Sequence, residues 1–262
     1  RLMTAELTAL VLTYNEAPNL RRTLEKLTWL REVVILDSFS TDETEAIARS
    51  FPNVHFMQRA FDNHTEQWNF GVDQCATPWV LALDADYVLS DELVLELQSL
   101  TPAADTAACF ARFKFCVHGP TLRASLYPPR AVLFRRDRCH YEPDGHTQLL
   151  EISGPTAELA GVILHDDRKP LARWLWAQSR YTDLEVEKLA HAKPGELRVQ
   201  DRLRKLIFIA PPLVLLYTLF VRGMILDGWP GICYALQRTV AELILSLRLL
   251  EAKFAKNPGG SP

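Results

Sequence analysis

With 262 residues, 48% of them apolar and 23% charged, the chain has the make-up of a folded protein with one sizeable core and a smaller appendage, which excludes disordered, collagen-like and purely coiled-coil architectures. A formal net charge of −3 gives no electrostatic case for a nucleic-acid binder. Five cysteines (Cys75, Cys109, Cys116, Cys139, Cys233), odd in number and without a C-x-x-C pair, are expected to be reduced thiols in a reducing compartment.

The first half alternates strand and helix patterns. The apolar run from Leu7 to Thr13 is too short for a secretory signal core and no small-residue cleavage site follows it, so no leader is expected; it reads as a strand buried on both faces. Pro18 sits where it can open a helix, with Leu20, Leu24 and Leu27 at helical spacing. Val33 to Leu36 predicts a second buried strand. Ser40 or Thr41 is then placed to cap a helix through Ala46, Ile47 and Ala48, with Asp42, Glu43 and Glu45 in its first turn. Val54 to Met57 predicts a third strand, Gln67 to Cys75 a helix, Trp79 to Leu83 a fourth strand, and Asp91 the cap of a helix ending near Leu100. This rhythm predicts an α/β fold, a mostly parallel central sheet with helices on both faces. From Ala107 the pattern changes: Ala107–Val117, Ala131–Arg135 and Leu159–His165 read as strands without intervening helices, a mixed or antiparallel extension. From Pro170 everything reads helical. The expected organisation is a domain over residues 1–168, a helical region over 169–256 and a flexible tail over 257–262.

The sharpest local feature is Leu81–Ala82–Leu83–Asp84–Ala85–Asp86, an apolar strand running into two acids separated by one residue. Ligands of open parallel sheets bind beyond the carboxyl ends of the strands. Two acids there repel each other and are costly to desolvate unless a cation or donors neutralise them. A hard divalent ion such as Mg²⁺ or Mn²⁺ would do so and would also bind a diphosphate. The first strand ends in Thr13–Tyr14–Asn15–Glu16 and the second in Asp37–Ser38–Phe39–Ser40–Thr41–Asp42, which puts three polar strand ends on one rim. Each set also has a structural use, as turn former or cap. Neither G-x-G-x-x-G nor a P-loop is present.

These segments, together with Gln67–Trp68–Asn69–Phe70–Gly71, resemble the glycosyltransferase family 2 nucleotide-sugar domain of GT-A fold in order and spacing. The subgroup resembled contains lipopolysaccharide core β-1,4-glucosyltransferases, on the D-S-F-S-T-D segment at Asp37–Asp42 and on Arg222–Gly223–Met224–Ile225–Leu226–Asp227–Gly228–Trp229–Pro230–Gly231. The resemblance implies that Thr13, Tyr14, Asn15 and Glu16 line a nucleotide pocket and that Asp37 accepts a hydrogen bond from the base, uracil being expected. It further implies that Gln67 and Asn69 lie near ribose and phosphates, that Asp84 approaches the ribose or metal-bound water, and that Asp86 holds the metal. Two departures stand out: Tyr87 follows Asp-Ala-Asp where the subgroup has Glu, and Asp144–Gly145–His146–Thr147–Gln148 occupies the place of its His-Glu loop. The acceptor-side general base is therefore open between Asp144 and His146, with Asp144 favoured because the family generally uses a carboxylate. His165, at the end of Val162–Ile163–Leu164, is a third metal candidate or a sheet-edge cap, and Arg130 a contact for donor phosphate or an anionic acceptor, or else a solvated surface residue.

Towards the carboxyl terminus, Arg198, Arg202, Arg204 and Lys205 precede a long apolar run from Leu206 to Val221 that contains the pair Pro211–Pro212, read as breaking a regular helix. A second apolar stretch, Met224 to Leu236, is interrupted at Asp227, Gly228 and Pro230, and a third runs from Val240 to Leu250. Basic residues flanking apolar segments suit an anionic membrane surface, with Trp174, Trp176 and Trp229 as interfacial anchors or core. The alternatives are a buried cap, a homo-oligomer interface or a spanning hairpin. The expected function is an inverting, metal-dependent transfer of a hexose from a nucleotide diphosphate sugar to a lipid-linked or envelope glycan, at the cytoplasmic face of the inner membrane. A sugar nucleotidyltransferase and a catalytically inactive membrane-associated scaffold are the competing readings.

Overall fold

The computed structural model describes residues 4–124, 127–144, 147–191 and 199–256. The chain divides into two compact units, Arg1–Thr121 with Ser125–Lys169, and Leu122–Ala124 with Pro170–Pro262.

In the first unit, eight of the described strands form one sheet. They are β1 (Leu7–Thr13), β2 (Val33–Asp37), β3 (Val54–Gln58), β4 (Trp79–Asp84), β5 (Tyr87–Leu89), β6 (Ala108–Phe115), β7 (Arg130–Arg135) and β10 (Thr156–His165). The order is β3-β2-β1-β4-β7-β6-β10-β5. The first four pair in parallel, β7 runs antiparallel to both neighbours, β6 and β10 are parallel, and β5 closes the edge antiparallel to β10. Two strands, β8 (Cys139–Asp144) and β9 (Thr147–Ile152), form a separate hairpin. The apolar runs become central strands for the expected reason: every residue of β2 is buried, and Leu10, Ile35, Leu81 and Leu83 lose all contact with water.

Pairing aligns the polar strand ends. Thr13 lies opposite Asp37 and Leu12 opposite Asp84, so the ends of β1, β2 and β4 share one rim. On the far side of the sheet, His165 in β10 lies opposite both Phe115 in β6 and Tyr87 in β5.

Helix starts depart from the expected caps. Helix α1 (Leu20–Glu25) begins two residues after Pro18. Neither Ser40 nor Thr41 caps α2 (Thr44–Arg49); the Asp42 carboxylate accepts from the Thr44 amide at 3.0 Å, because Ser40 and Thr41 are bonded elsewhere. Helix α3 (His64–Gln74) starts at an Asn63 cap, three residues before the expected Gln67. Ser90, not Asp91, caps α4 (Asp91–Ser99) by accepting from Leu93 N at 3.2 Å, leaving Asp91 in the first turn where its charge is favourable. All five cysteines are free, four of them buried.

The second unit is helical: α5 (Leu171–His191), α6 (Val199–Arg204), α7 (Ala210–Leu216) and α8 (Trp229–Lys256), with a π-helical turn at Tyr217–Val221 and a 3₁₀ turn at Met224–Asp227. Pro211 and Pro212 open α7 instead of breaking it, because amides in the first helical turn have no acceptor to lose. Likewise Pro230 lies in the first turn of α8, which then runs unbroken through residues expected as two stretches. The glycines of residues 222–231 have structural uses. Gly223 and Gly228 take φ values of 69° and 65°. A Cβ on Gly231 would stand 1.8 Å from the Met224 carbonyl oxygen, so only glycine allows α8 to start against the preceding turn. Asp227 accepts from Arg123 N at 3.1 Å and Nε at 2.9 Å, which ties the short 122–124 segment to this unit. Arg204 joins three helices, reaching Glu185 at 3.0 Å, Asp201 at 3.6 Å and Glu242 at 3.2 Å.

Candidate functional site

The β1 and β2 ends are stitched into one rim. Asn15 adopts φ 54°, a left-handed conformation that its short polar side chain tolerates, and so aims both its amide and its side chain at the next loop. Its N–H donates to Ser40 Oγ at 2.8 Å, and its Oδ1 accepts from Thr41 N at 2.8 Å. Glu16 N donates to Thr44 Oγ1 at 2.8 Å. Asp37 is wholly buried. Its Oδ1 accepts from Thr13 Oγ1 at 2.8 Å and Ser40 Oγ at 2.5 Å; its Oδ2 accepts from Ser40 N at 2.8 Å and Gln58 Nε2 at 3.3 Å. Thus protein donors occupy the acceptor positions that the resemblance reserves for a base, and a base contact requires the longest bond, from Gln58, to yield. Tyr14 and Phe39 stand 41% and 55% exposed on either side of this turn, and Phe39 has φ 58°. A positive φ at an aromatic residue is strained backbone, which the sequence alone does not disclose.

Gln67 lies buried in α3, donating to Ser38 Oγ at 3.1 Å and accepting from Arg59 at 2.6 Å, so it braces the loop after β2. Asn69, expected near ribose and phosphates, faces the β8 strand. Its amide accepts from Tyr141 N at 3.0 Å and donates to Tyr141 O at 2.9 Å, so it pairs with the backbone of β8 as a strand would, and both its ends are engaged there.

The acid corner is built where β4 hands over to β5. Asp86 is buried, and its Oδ2 meets His165 Nε2 at 3.1 Å. The two acids are pushed apart. Burial, then the neighbouring Asp86 charge, raises Asp84, while Arg130, His165 and a hydrogen bond from Tyr87 oppose the rise. Burial would raise Asp86 as well, but the His165 ring and Lys169 carry it below the usual carboxylate range. Burial would lower His165, and Asp86 raises it. The pair thus favours the imidazolium–carboxylate form, whose contribution is present between the lowered Asp86 value, below which the carboxyl is protonated, and the raised His165 value, above which the ring is neutral. His165 Nδ1 is buried without a hydrogen-bond partner among the described residues. Among the described residues no three His, Cys, Asp or Glu side chains are arranged to hold a metal ion; His165, offered from the sequence as a ligand, faces Asp86.

An aromatic wall flanks this corner. The His165 ring packs 4.6 Å from Phe115 and 5.2 Å from both Tyr87 and Tyr127, and the Tyr87 and Tyr127 hydroxyls are in contact. Arg130 lies 4.5 Å over the Tyr127 ring and adds its charge beside Asp84, so the structure brings it to the site. Tyr141 of the hairpin also feels Asp84, its phenol raised first by burial and then by that charge. Asp144 is the last residue of β8, opposite Thr147. His146 and the Asp144 side chain lie outside the described residues.

A charge network not legible in the sequence supports the β1 end from below. Lys169 Nζ meets Glu16 at 2.6 Å, and Asn19 Nδ2 bridges Glu16 and Asp167 at 3.0 and 2.8 Å. Burial pushes Glu16 up to about 7 against the Lys169 charge, with Asp86 adding to the rise. Burial would lower Lys169, and the charges of Glu16, Asp167 and Asp86 raise it instead. Removing the cation leaves a buried carboxylate without compensation, at a cost of about 3 kcal/mol or more. Lys169→Met is therefore expected to lower stability strongly at pH 8. At pH 5, below the raised Glu16 value, a proton neutralises the carboxyl and the deficit shrinks. Urea titrations of both proteins at the two pH values check this; an equal deficit at both refutes it.

Comparisons with known proteins agree with this architecture. A family model described as glycosyl transferase family 2 matches residues 8–150. The lipopolysaccharide core biosynthesis glycosyltransferase LpsC of Rhizobium meliloti (strain 1021) is 25% identical over 258 residues, 94% of this chain and 92% of that protein. An uncharacterised glycosyltransferase of Rickettsia bellii (strain RML369-C) is 33% identical over 98 residues, 37% of this chain and 33% of that protein, so the likeness spans a third of the relative. Among solved structures, S. aureus TarS 1–349 in complex with UDP-GlcNAc superposes with a TM-score of 0.51 at 14% identity, over 96% of this chain and 92% of the other. That likeness is one of fold: the GT-A-type sheet implied by the resemblance is the one observed, with antiparallel pairings at β7 and β5 making it more mixed than the mostly parallel sheet expected.

Proposed function

The chain belongs to glycosyltransferase family 2, and on that premise we propose that it transfers a hexose, with inversion, from a nucleoside-diphosphate sugar to a lipid-linked or envelope glycan. The observation that carries the reading is the convergence on one rim of the β1 end, the Asp37 turn and the Asp84–Asp86 corner. A uridine donor is supported by the UDP-GlcNAc held in the TarS structure, and an envelope acceptor by the name of the Rhizobium relative.

In this reading the Asn15–Ser40–Thr41 stitch shapes the floor for the nucleoside, with Tyr14 and Phe39 offering ring faces to the base. Gln67 holds the loop after β2 in place. Arg130 supplies positive charge beside the acids, suited to a phosphate. The acceptor hydroxyl oxygen forms a bond to the anomeric carbon as that carbon's bond to the diphosphate breaks, and its proton passes to a general base. That base is proposed to be Asp144, with His146 the alternative, both at the hairpin whose stem runs beside Asp84. A divalent cation fits the Asp84 carboxyl, which burial and the Asp86 charge raise, and on Asp86 it would take the place of the His165 contact. Asp86 and Asp84 would hold it, with His165 releasing Asp86 or joining them. When bound, such an ion neutralises charge building on a departing diphosphate.

The test is release of UDP from a panel of UDP-hexoses by the full chain, with Mn²⁺ and with EDTA. Release from at least one donor, lost on chelation, is the expected result. No calorimetric binding of UDP in the presence of Mn²⁺ overturns the reading.

A further inference from the structure

Helix α8 carries apolar residues on two faces. One packs inward, where Ala235, Ala241 and Leu245 are buried and Ser246 donates to Ile207 O at 2.8 Å. The other presents Trp229, Ile232, Leu236, Leu243, Leu247 and Phe254, all between 43% and 66% exposed. Their spacing of three, four or seven residues keeps them on one stripe, which is about 38 Å long at 1.5 Å per residue. The outer face of a helix in a water-soluble bundle is ordinarily polar. The segment before α8 continues the pattern: Phe208 is 80% exposed, Val221 71%, Leu226 66% and Phe220 61%.

The charges are sorted accordingly. Between residues 199 and 256 the acids are Asp201, Asp227, Glu242 and Glu251. Asp201 and Glu242 are buried on Arg204, and Asp227 is drawn onto Arg123, which leaves Glu251 as the exposed acid of the four. The bases Arg202, Lys205 and Lys253 stay exposed, and Arg222, Arg238 and Arg248 half-exposed. An apolar stripe among cations, with its acids turned inward, complements a surface that is oily inside and anionic outside. No helix among the described residues is long and apolar enough to cross a membrane.

We propose that the exposed face of α8 and the Phe208–Leu226 segment form an in-plane docking surface for an anionic lipid bilayer, with the helix lying flat and its apolar stripe sunk to the acyl boundary. This stands independently of the transfer reading. The test is flotation of the full chain with phosphatidylcholine vesicles, with or without about a third phosphatidylglycerol. At least tenfold more protein is expected on the anionic vesicles, with loss in high salt. Trp229 fluorescence, isolated by comparison with Trp229→Phe, is expected to be quenched by brominated acyl chains. The surface variant Leu236→Glu/Leu243→Glu/Leu247→Glu, checked for unchanged circular dichroism and melting, is expected to lose tenfold or more of the binding. Equal binding to both vesicle types, no binding, or a variant that binds as before overturns the proposal. So does a stable wild-type dimer that the variant converts to monomer without change in vesicle binding, since a second copy is then the occupant.

Discussion

Asp86→Asn is expected to lower donor turnover by about a hundredfold to a thousandfold, the range seen when one preorganised electrostatic group is removed from a reaction centre. Asp86 is buried at the corner where β4 gives way to β5, and its charge is the member of the acid pair held ionised, on His165. Asparagine keeps the shape and removes the charge. Two neighbours then report the loss without any turnover. His165 loses the partner that raised it, and its titration is expected to move down, since burial is left as the larger influence. Asp84 loses the charge that added to its rise and is expected to move down as well. Steady-state UDP release and an NMR titration of the His165 ring test the two sides. Turnover within a fewfold of wild type, together with a shifted histidine, separates the catalytic role of Asp86 from its local electrostatic one and rejects the former.

Asp37→Ala is expected to destabilise the first unit by about 2–4 kcal/mol, because it strands the buried Thr13 hydroxyl and two half-buried Ser40 donors at once. Thr13 Oγ1, Ser40 Oγ, Ser40 N and Gln58 Nε2 all converge on this one buried carboxylate; Thr13 is buried, Ser40 half-buried and Gln58 exposed. Asparagine is expected to rescue in part. With its Oδ1 toward Ser40 N and Gln58, its NH₂ faces the Thr13 and Ser40 hydroxyls, which can turn to accept. Both variants are therefore expected to lower the urea midpoint and weaken UDP binding, with asparagine retaining at most part of the loss. An unfolding free energy within about 1 kcal/mol of wild type for alanine refutes this and returns Asp37 to the purely ligand-facing role implied by the resemblance.

The two halves of the molecule were legible to different degrees. The parallel strands announce themselves because strands buried on both faces must be continuously apolar, and Val33–Leu36 and Trp79–Leu83 are. Their polar ends could be assigned to one rim from strand direction alone, and the register of Thr13 with Asp37 and Leu12 with Asp84 agrees. Strand β5 escaped because three residues carry no period. The β8–β9 hairpin escaped because Cys139–His140–Tyr141–Glu142–Pro143 alternates too weakly to be told from a loop. The Glu16–Lys169 contact joins residues 153 apart, and nothing local marks either as a partner. Asp37 and Asn69 show a different limit. Motif spacing identifies that such residues matter, but not whether a side chain meets ligand or backbone. In the helical unit, proline and glycine were read as interruptions where they are beginnings, since the same missing N–H that damages a helix interior is harmless in its first turn.

The Asn69 amide has one more consequence. By bonding to both backbone groups of Tyr141, it anchors the stem of the β8–β9 hairpin to α3, beside the Trp68 ring that packs 5.5 Å from Tyr141. Insertions, deletions or new side chains at that tip leave the anchorage intact. On the proposed reading, with the general base at that hairpin, acceptor preference is thereby free to diversify over evolution while the β1–β2–β4 rim is kept.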